Sequence, residues 1–248
     1  VALGRAGTGP AGRDSGRAAD ATEARPYSGR FIVLEGPDGA GKSVQASRLV
    51  EHLREQGLPV VDTREPGGTE LGEQVRSILL DPGPTPRGPV ADVMLYNAAR
   101  AQHVLEVIRP ALERGDTVVC DRYATSTMAY QGYGSGMDLE LLARIQDWAT
   151  GELHPDLVVL LDVSPEMGLE RRAAGSADEL TRWEDESRFD LAFHARVREG
   201  YLAMAAAEPE RWVVLDGSGG IEEVAADVDR VVDEAMSRAG FGKTCDQA

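Results

Sequence analysis

The sequence predicts an α/β domain in which a doubly wound, five-stranded parallel sheet has helices on both faces. Short unbroken apolar runs recur along the chain, as strands buried on both faces require. Longer segments with helical periodicity separate these runs, and helices are the usual connections between parallel strands. The strand candidates are residues 31–34, 60–61, 118–120, 157–163 and 212–215.

The spacing of apolar residues predicts the helices between these strands. The first covers residues 43–56 and ends before Gly57. The second covers residues 70–80 and has Thr69 as its N-terminal cap. Its expected buried face consists of Leu71, Val75 and Ile78. The remaining helices are predicted at about 90–114, 138–149, 165–173, 187–207 and 221–238.

The two ends of the chain differ in composition from the part between them. Residues 1–28 are rich in Gly, Ala and Arg without apolar periodicity, which predicts a disordered N-terminal extension. Residues 240–248 predict a flexible tail. The alternating strands and helices fill residues 29–239, a length that suits one domain of this class.

Composition and charge argue against several classes of function. The formal net charge of −16 argues against a nucleic-acid partner, although a local arginine cluster can still bind a small phosphorylated ligand. No apolar run approaches the ~18 residues that cross a bilayer, so no membrane partner is expected. Cys120 and Cys245 show neither ligand spacing nor a disulfide framework, which favours a cytoplasmic location.

A phosphate-binding loop directly follows the first strand candidate. The segment fits G-x-x-x-x-G-K-[ST] and opens the first helix, so its backbone N–H groups can hold an anion. In such a loop Lys42 reaches the β- and γ-phosphates of an NTP, and Ser43 ligates Mg²⁺. The sequence therefore predicts a P-loop NTPase fold that uses ATP and Mg²⁺. The predicted ATP-binding residues are Gly36, Pro37, Asp38, Gly39, Ala40, Gly41, Lys42, Ser43 and Val44.

The pair Asp121-Arg122 follows the third strand candidate. Ligands of open α/β sheets bind beyond the carboxyl ends of the strands, so Asp121 is a candidate Mg²⁺ ligand and Arg122 a candidate contact for an acceptor phosphate. Alone, the pair could equally be an ordinary ion pair at a strand end. The phosphate loop also leaves GTPases, motor ATPases and small-molecule kinases open.

Three further segments resemble motifs of thymidylate kinases. Residues 121–132 are similar to the D-R-Y-x-x-S-x-x-A-Y-Q-G stretch, residues 64–69 to R-E-P-G-G-T, and residues 95–103 to the L-[FY]-x-A-x-R-x-x-H helix. With the phosphate loop these make four motifs in family order, and the likeness runs from about residue 29 to about residue 236. The resemblance implies transfer of the γ-phosphoryl group of ATP to dTMP, with catalytic roles for Lys42, Asp121 and Arg122.

The resemblance also implies how dTMP would be held. Asp38 would meet the sugar 3′-hydroxyl or order the acceptor phosphate, and Arg64 and Arg122 would bind that phosphate beside a wall shaped by Glu65. Tyr96 would stack on the thymine ring, and Arg100 would donate to its carbonyl oxygen O4. The rest of the base and sugar pocket would be lined by Ser126, Thr127, Tyr130 and Gln131.

A small lid is expected at about residues 171–188. The family supplies a catalytic arginine from the phosphate loop or from the lid, and residues 37–40 contain none, so the resemblance implies the lid arrangement. The first choice is Arg182 and the second Arg188, with Arg171 and Arg172 also in the segment. The chain departs from the usual D-R-x-E here, since it has T-R-W-E at residues 181–184.

Two other functions stay open on the sequence alone. One is a kinase that acts on another pyrimidine nucleoside monophosphate. The other is a non-catalytic nucleotide-binding module of a larger polypeptide. The resemblance further implies ATP and dTMP as small-molecule partners and a homodimer as the assembly.

Overall fold

The computed structural model describes residues 27–81, 87–174 and 191–238. Its five strands are β1 (Arg30–Glu35), β2 (Val60–Arg64), β3 (Thr117–Asp121), β4 (Leu157–Asp162) and β5 (Trp212–Asp216). They form one sheet in the order β2-β3-β1-β4-β5, and every pairing is parallel. The predicted five-stranded parallel sheet is therefore confirmed.

Helices cover both faces of this sheet. They are α1 (Lys42–Glu55), α2 (Glu70–Leu80), α3 (Pro89–His103), α4 (Arg109–Arg114), α5 (Ala124–Thr127), α6 (Leu139–Thr150), α7 (Pro165–Ala173), α8 (Leu191–Ala207) and α9 (Ile221–Arg238). Two π-helical segments, Val104–Ile108 and Met128–Gly134, continue α3 and α5. No described helix pairs the length with the apolar character that a bilayer crossing demands.

Alternate residues of each strand fill separate cores on the two faces. In β1, Ile32 and Leu34 pack with the apolar sides of α1 and α9, whereas Phe31 and Val33 pack on the opposite face with α4 and the segment Val104–Ile108. This double burial explains the unbroken apolar runs in the sequence. A further core, under α8, holds the end of the sheet formed by β4 and β5.

Two local expectations differ from the structure. The predicted helix 90–114 is interrupted by the π-helical segment Val104–Ile108, just before Pro110, which has no N–H to continue an α-helical ladder. On α2, Thr69 caps the helix through Gly72 N and Val75 is buried as expected, but Leu71 and Ile78 are exposed. Apolar spacing identified the helix, but Leu71 and Ile78 do not face the core of this chain.

Residues that pack against the domain begin before residue 29, the predicted start of the domain. Tyr27 packs against the core under β1 and β3, and Arg109 donates to its hydroxyl oxygen at 2.5 Å. The other residues of the predicted extension, except Ser28, lie outside the described residues, as do the predicted tail and most of the predicted lid.

All five strands end on a charged residue at the same edge of the sheet. These residues are Glu35, Arg64, Asp121, Asp162 and Asp216. In open α/β sheets this carboxyl edge is where ligands bind, and here it gathers most of the residues that the sequence motifs single out.

Candidate active site

The phosphate loop connects β1 to the start of α1. Gly36, Gly39 and Gly41 have positive φ angles of 149°, 75° and 88°, which L side chains rarely adopt, so the loop depends on its glycines. Lys42 is the first residue of α1, and its ammonium group donates to the Pro37 carbonyl at 2.8 Å. Burial, aided by the nearby charge of Arg122, lowers the pKa of Lys42 to about 8.

Ser43 and Asp121 meet at the carboxyl ends of β1 and β3. The Ser43 hydroxyl donates to Asp121 Oδ2 at 2.5 Å. The other carboxylate oxygen, Oδ1, is buried and has no hydrogen-bond partner among the described residues. Mg²⁺ is usually bound by one or two protein oxygens and keeps several water ligands. A hydroxyl oxygen and an unsatisfied carboxylate oxygen suit such an ion, so Ser43 and Asp121 fit the predicted Mg²⁺. The described residues contain no group of three or more His, Cys, Asp and Glu side chains that could hold a metal alone.

Asp38 lies in the phosphate loop between two arginines. Arg122 donates to its Oδ1 at 2.5 Å, and Arg172 of α7 donates to its Oδ2 at 3.1 Å. Burial opposes ionisation of Asp38, but the positive charges of Arg122, Arg172 and Lys42 outweigh it and hold the pKa well below its usual range. We name the group Asp38, Lys42, Ser43, Asp121 and Arg122 the Asp38 cluster.

Arg122 is held in an uncommon conformation. Its φ is 73°, in the left-handed region that costs a non-glycine residue on the order of 1 kcal/mol and that is enriched at functional sites. The guanidinium lies over the Tyr130 ring at 5.2 Å and donates to Ser126 Oγ at 3.1 Å. Burial raises the pKa of Tyr130, so its hydroxyl stays protonated beside Asp38.

Glu35 organises the segment after β3, a role that the sequence motifs did not indicate. Its buried carboxylate accepts from the backbone N–H groups of Tyr123 and Ser126 at 2.9 and 3.1 Å. It also accepts from the hydroxyl groups of Thr125, Ser126 and Tyr201. The position of Glu35 at the end of a parallel strand was the available signal, because that edge forms the site.

A second polar cluster lies between β2, α3 and α6, and it is buried. Arg100 donates through Nε to Glu65 Oε2 at 2.7 Å, and His103 Nδ1 lies 3.0 Å from Glu65 Oε1. The other ring nitrogen of His103 lies 2.7 Å from Thr63 Oγ1. Burial opposes ionisation of Glu65, but Arg100 and His103 lower its pKa below the usual value. We name the group Thr63, Glu65, Arg100, His103 and Gln146 the Glu65 cluster.

The remaining nitrogens of Arg100 also have protein acceptors. Nη2 donates to the Tyr123 carbonyl and to Thr127 Oγ1, both at 3.2 Å. Nη1 donates to the side chains of Asn97 and Gln146 over longer distances of 3.4 and 3.3 Å. All five N–H groups of Arg100 are thus engaged within the domain, and the Nη1 bonds are the easiest to exchange for a ligand atom.

Tyr96 and Gln131, which the resemblance assigns to the dTMP pocket, differ in burial. Tyr96 is half-buried on α3, close enough to Arg122, Asp38 and Arg100 for their charges to act on its hydroxyl, and burial raises its pKa to about 12. Gln131 is buried in the π-helical segment after α5. Val44, in the first turn of α1, is exposed beside the loop.

Arg64 lies at the rim of the site. It is about half exposed and pairs with Glu73 at 3.1 Å. Arg76 of α2 donates to the Pro66 carbonyl at 3.0 Å, and burial together with the neighbouring charge of Arg64 lowers its pKa. The motifs did not identify Arg76, because a single arginine on a helix gives no sequence signal of a site.

The two described arginines of the predicted lid segment have different partners. Arg171 donates to the carbonyls of Gly217 and Ser218 at 2.7 and 3.0 Å, so it braces the loop after β5. Arg172 points to Asp38 instead. Arg182 and Arg188 lie outside the described residues.

Comparison with known proteins shows the family to which the chain belongs. A model of the thymidylate kinase family matches residues 34–228. Thymidylate kinase of Deinococcus radiodurans is 51% identical over 207 residues, which span 83% of this chain and 97% of that protein. The chain belongs to the thymidylate kinase family. The thymidylate kinase of Symbiobacterium thermophilum is 46% identical over 208 residues, which span 84% of this chain and 94% of that protein.

A solved structure of the family has the same fold. The crystal structure of thymidylate kinase from Ehrlichia chaffeensis aligns with a TM-score of 0.68 at 31% identity, and covers 82% of this chain and 98% of that chain. The family resemblance and the P-loop fold expected from the sequence are both confirmed.

Proposed function

We propose that this chain transfers the γ-phosphoryl group of ATP to dTMP and releases ADP and dTDP. The observation that carries the proposal is the Asp38 cluster, which brings a phosphate-loop lysine, a Ser–Asp pair suited to Mg²⁺ and an arginine together at one edge of the sheet. Membership of the thymidylate kinase family supports dTMP as the acceptor.

ATP would lie along the phosphate loop, from Gly36 to Val44, with its phosphates against the backbone N–H groups and Lys42. Mg²⁺ held by Ser43 and Asp121 would neutralise charge on the β- and γ-phosphates. The Lys42 ammonium, once drawn from the Pro37 carbonyl to the phosphates, stabilises the charge that develops during transfer.

The acceptor phosphate would be bound by Arg122, with Arg64 at the rim. This phosphate is already ionised near neutral pH, so no strong general base is needed. Transfer then depends on alignment of acceptor and donor and on neutralisation of charge. A lid arginine, with Arg182 as first choice and Arg188 as second, belongs to the same proposal.

The base of dTMP would lie between Tyr96 and the Glu65 cluster. Tyr96 offers an aromatic face, and the two long Nη1 bonds of Arg100 are the ones that thymine O4 could replace. Cytosine carries an amino group at that position, so it would face a donor with a donor. Ser126, Thr127, Tyr130 and Gln131 would line the sugar and the remaining base edge.

The test is transfer by the purified chain, with ATP, Mg²⁺ and a panel of dTMP, dUMP, dCMP and dGMP. We expect dTDP as product and the highest kcat/KM for dTMP. Absence of dTDP under conditions where the chain is folded would contradict the proposal, and faster transfer to dCMP would contradict the assigned base recognition.

A homodimer is the proposed assembly, supported by apolar side chains exposed on three packed helices, α2, α3 with its π-helical continuation, and α6. The two most exposed are Trp148 at 87% and Leu105 at 64%. The others are Leu71, Ile78, Val90, Met94 and Leu141. Leu71 and Ile78 are seven residues apart on α2, as are Leu141 and Trp148 on α6, so each pair lies on one face of its helix.

Sedimentation velocity tests this assembly. The parent chain should sediment as a dimer, Met94→Asp as a monomer, and Ile221→Asp, at an exposed apolar position on α9, as the parent. A parental monomer would contradict the dimer. A cytoplasmic location remains a prediction, in keeping with the reduced, buried Cys120.

A further inference from the structure

A carboxylate in the phosphate loop needs an explanation. Asp38 lies among the groups that would hold phosphates, and an ionised carboxylate repels an incoming phosphate. Its two oxygens bind two different arginines: Oδ1 accepts from Arg122 and Oδ2 from Arg172. The loop therefore holds its negative charge between two positive ones that come from separate parts of the fold.

Helix α7 brings Arg172 to this place through a close backbone contact. A Cβ atom added at Gly39 would lie 2.1 Å from the Gly168 carbonyl oxygen, and one added at Gly168 would lie 2.4 Å from the Asp38 carbonyl oxygen. Neither glycine can carry a side chain without a shift of backbone. The tip of the phosphate loop and α7 are thus fitted to one another independently of the ion pair.

The two arginines differ in what else they do. Arg122 lies at the end of β3 over Tyr130 and, on the proposed function, binds the acceptor phosphate. Its bonds to the Gly36 carbonyl and the Tyr201 hydroxyl are 3.4 and 3.3 Å, longer than its 2.5 Å bond to Asp38. Asp38 is therefore the main competitor of the acceptor phosphate for this guanidinium.

We propose that Arg172 is a positioning residue that keeps the Asp38 carboxylate paired, so that Arg122 can turn to the acceptor phosphate. The proposal rests on the proposed function, since it takes Arg122 as the phosphate contact. Without Arg172, Asp38 loses one of its two arginine partners, so it holds Arg122 more strongly and weakens the contact of Arg122 with dTMP. Arg172 acts through Asp38 in this account and does not contact the phosphoryl group that is transferred.

A double-mutant cycle tests this account. The variants are Arg172→Ala, Asp38→Asn and the double variant, with kcat and the KM for dTMP measured for each. In the parent, Arg172→Ala should raise the KM for dTMP about tenfold, the size of a lost charged hydrogen bond, with kcat within about twofold. In the Asp38→Asn background the same change should alter KM by less than about twofold, because no charge remains to hold.

Three further variants keep the test decisive. Arg172→Lys retains the charge and should recover most of the loss, and Arg172→Gln should behave as Arg172→Ala if the alanine variant folds poorly. Arg48→Ala removes a similar arginine–carboxylate contact between α1 and α9, away from the site, and should leave both constants near the parental values.

Three results would overturn the proposal. An equal rise in KM in both backgrounds would place Arg172 on the substrate itself. A fall in kcat with unchanged KM would make it a contact to the transferred phosphoryl group. A loss of thermal stability with unchanged kinetics would make it a structural brace. Absence of any transfer by the parental chain would instead remove the proposed function, and this proposal with it.

Discussion

The Asp38 and Glu65 clusters are both charged, but the Asp38 cluster is only partly buried, and the two differ in how completely their polar groups are paired. In the Glu65 cluster all five N–H groups of Arg100, both oxygens of Glu65 and both ring nitrogens of His103 have partners. In the Asp38 cluster, Asp121 Oδ1 has no partner among the described residues and burial lowers the pKa of Lys42 to about 8.

This difference separates two tasks. A fully paired polar group holds elements together and fixes the shape of a pocket before a ligand arrives. An incompletely paired group can instead be completed by the charges of a ligand. The strained backbone of Arg122 lies in the same cluster, and the surrounding fold has to enforce it. We therefore expect substitutions in the Asp38 cluster to change the rate of transfer, and substitutions in the Glu65 cluster to change stability and, through Arg100, the choice of base.

The largest expected effect is that of Lys42→Ala. Loss of the ammonium removes a charge that stabilises the transferring phosphoryl group, so kcat should fall by about 10³ or more. The free energy of unfolding should not fall, because the buried ammonium is itself poorly solvated. Steady-state kinetics and urea denaturation on the same preparation measure both. Parental turnover would show that the loop is not catalytic.

The opposite pattern is expected for Glu65→Gln. The change leaves the buried Arg100 guanidinium without its counter-charge, which should lower the free energy of unfolding by about 3–5 kcal/mol. The matched control is Asp62→Asn, at an exposed position on β2 three residues earlier, where the change should stay within about 0.5 kcal/mol. Urea denaturation measures both, and equal stability of the two variants would erase the contrast between the clusters.

A smaller effect follows from the pKa of Lys42. Its ammonium is charged below about pH 8 in the free protein and loses its proton as pH rises through that value. The kcat/KM for ATP should therefore fall about tenfold per pH unit above 8, while kcat declines only at higher pH because bound phosphates raise the lysine pKa. Lys42→Arg, though less active, should lack this limb. A flat profile to pH 9.5 would contradict the assignment.

The sequence predicted the fold and most of the Asp38 cluster because these depend on local patterns. A strand buried on both faces leaves an unbroken apolar run, and the phosphate loop is one contiguous motif. The sequence did not predict the roles of Glu35 and Arg76 or the pairing of Arg172 with Asp38, because each depends on a contact between residues distant in sequence. The approach of α7 to the loop in particular has no local sequence signal.

Apolar spacing was also an incomplete guide to burial. It located α2 correctly, yet Leu71 and Ile78 are exposed. The apolar period identifies one face of a helix, but it does not show whether the core of the same chain covers that face. His103, a polar residue that apolar spacing does not place, lies fully buried against Glu65. The predicted dTMP contact of Arg100 stays a prediction, and the structure adds that its N–H groups already have protein acceptors.

The most direct test of the account is the ratio of kcat/KM for dTMP to kcat/KM for dCMP in three proteins: the parent, Arg100→Lys and Arg64→Gln. Arg100→Lys keeps a charge opposite Glu65 but loses the planar fork. If Arg100 of the Glu65 cluster contacts the base and Arg64 at the rim binds only phosphate, Arg100→Lys lowers the ratio by at least about fivefold. Arg64→Gln lowers both terms and leaves the ratio unchanged. An unchanged ratio in Arg100→Lys, or an equal fall in both variants, would contradict the assignment of base recognition to the Glu65 cluster.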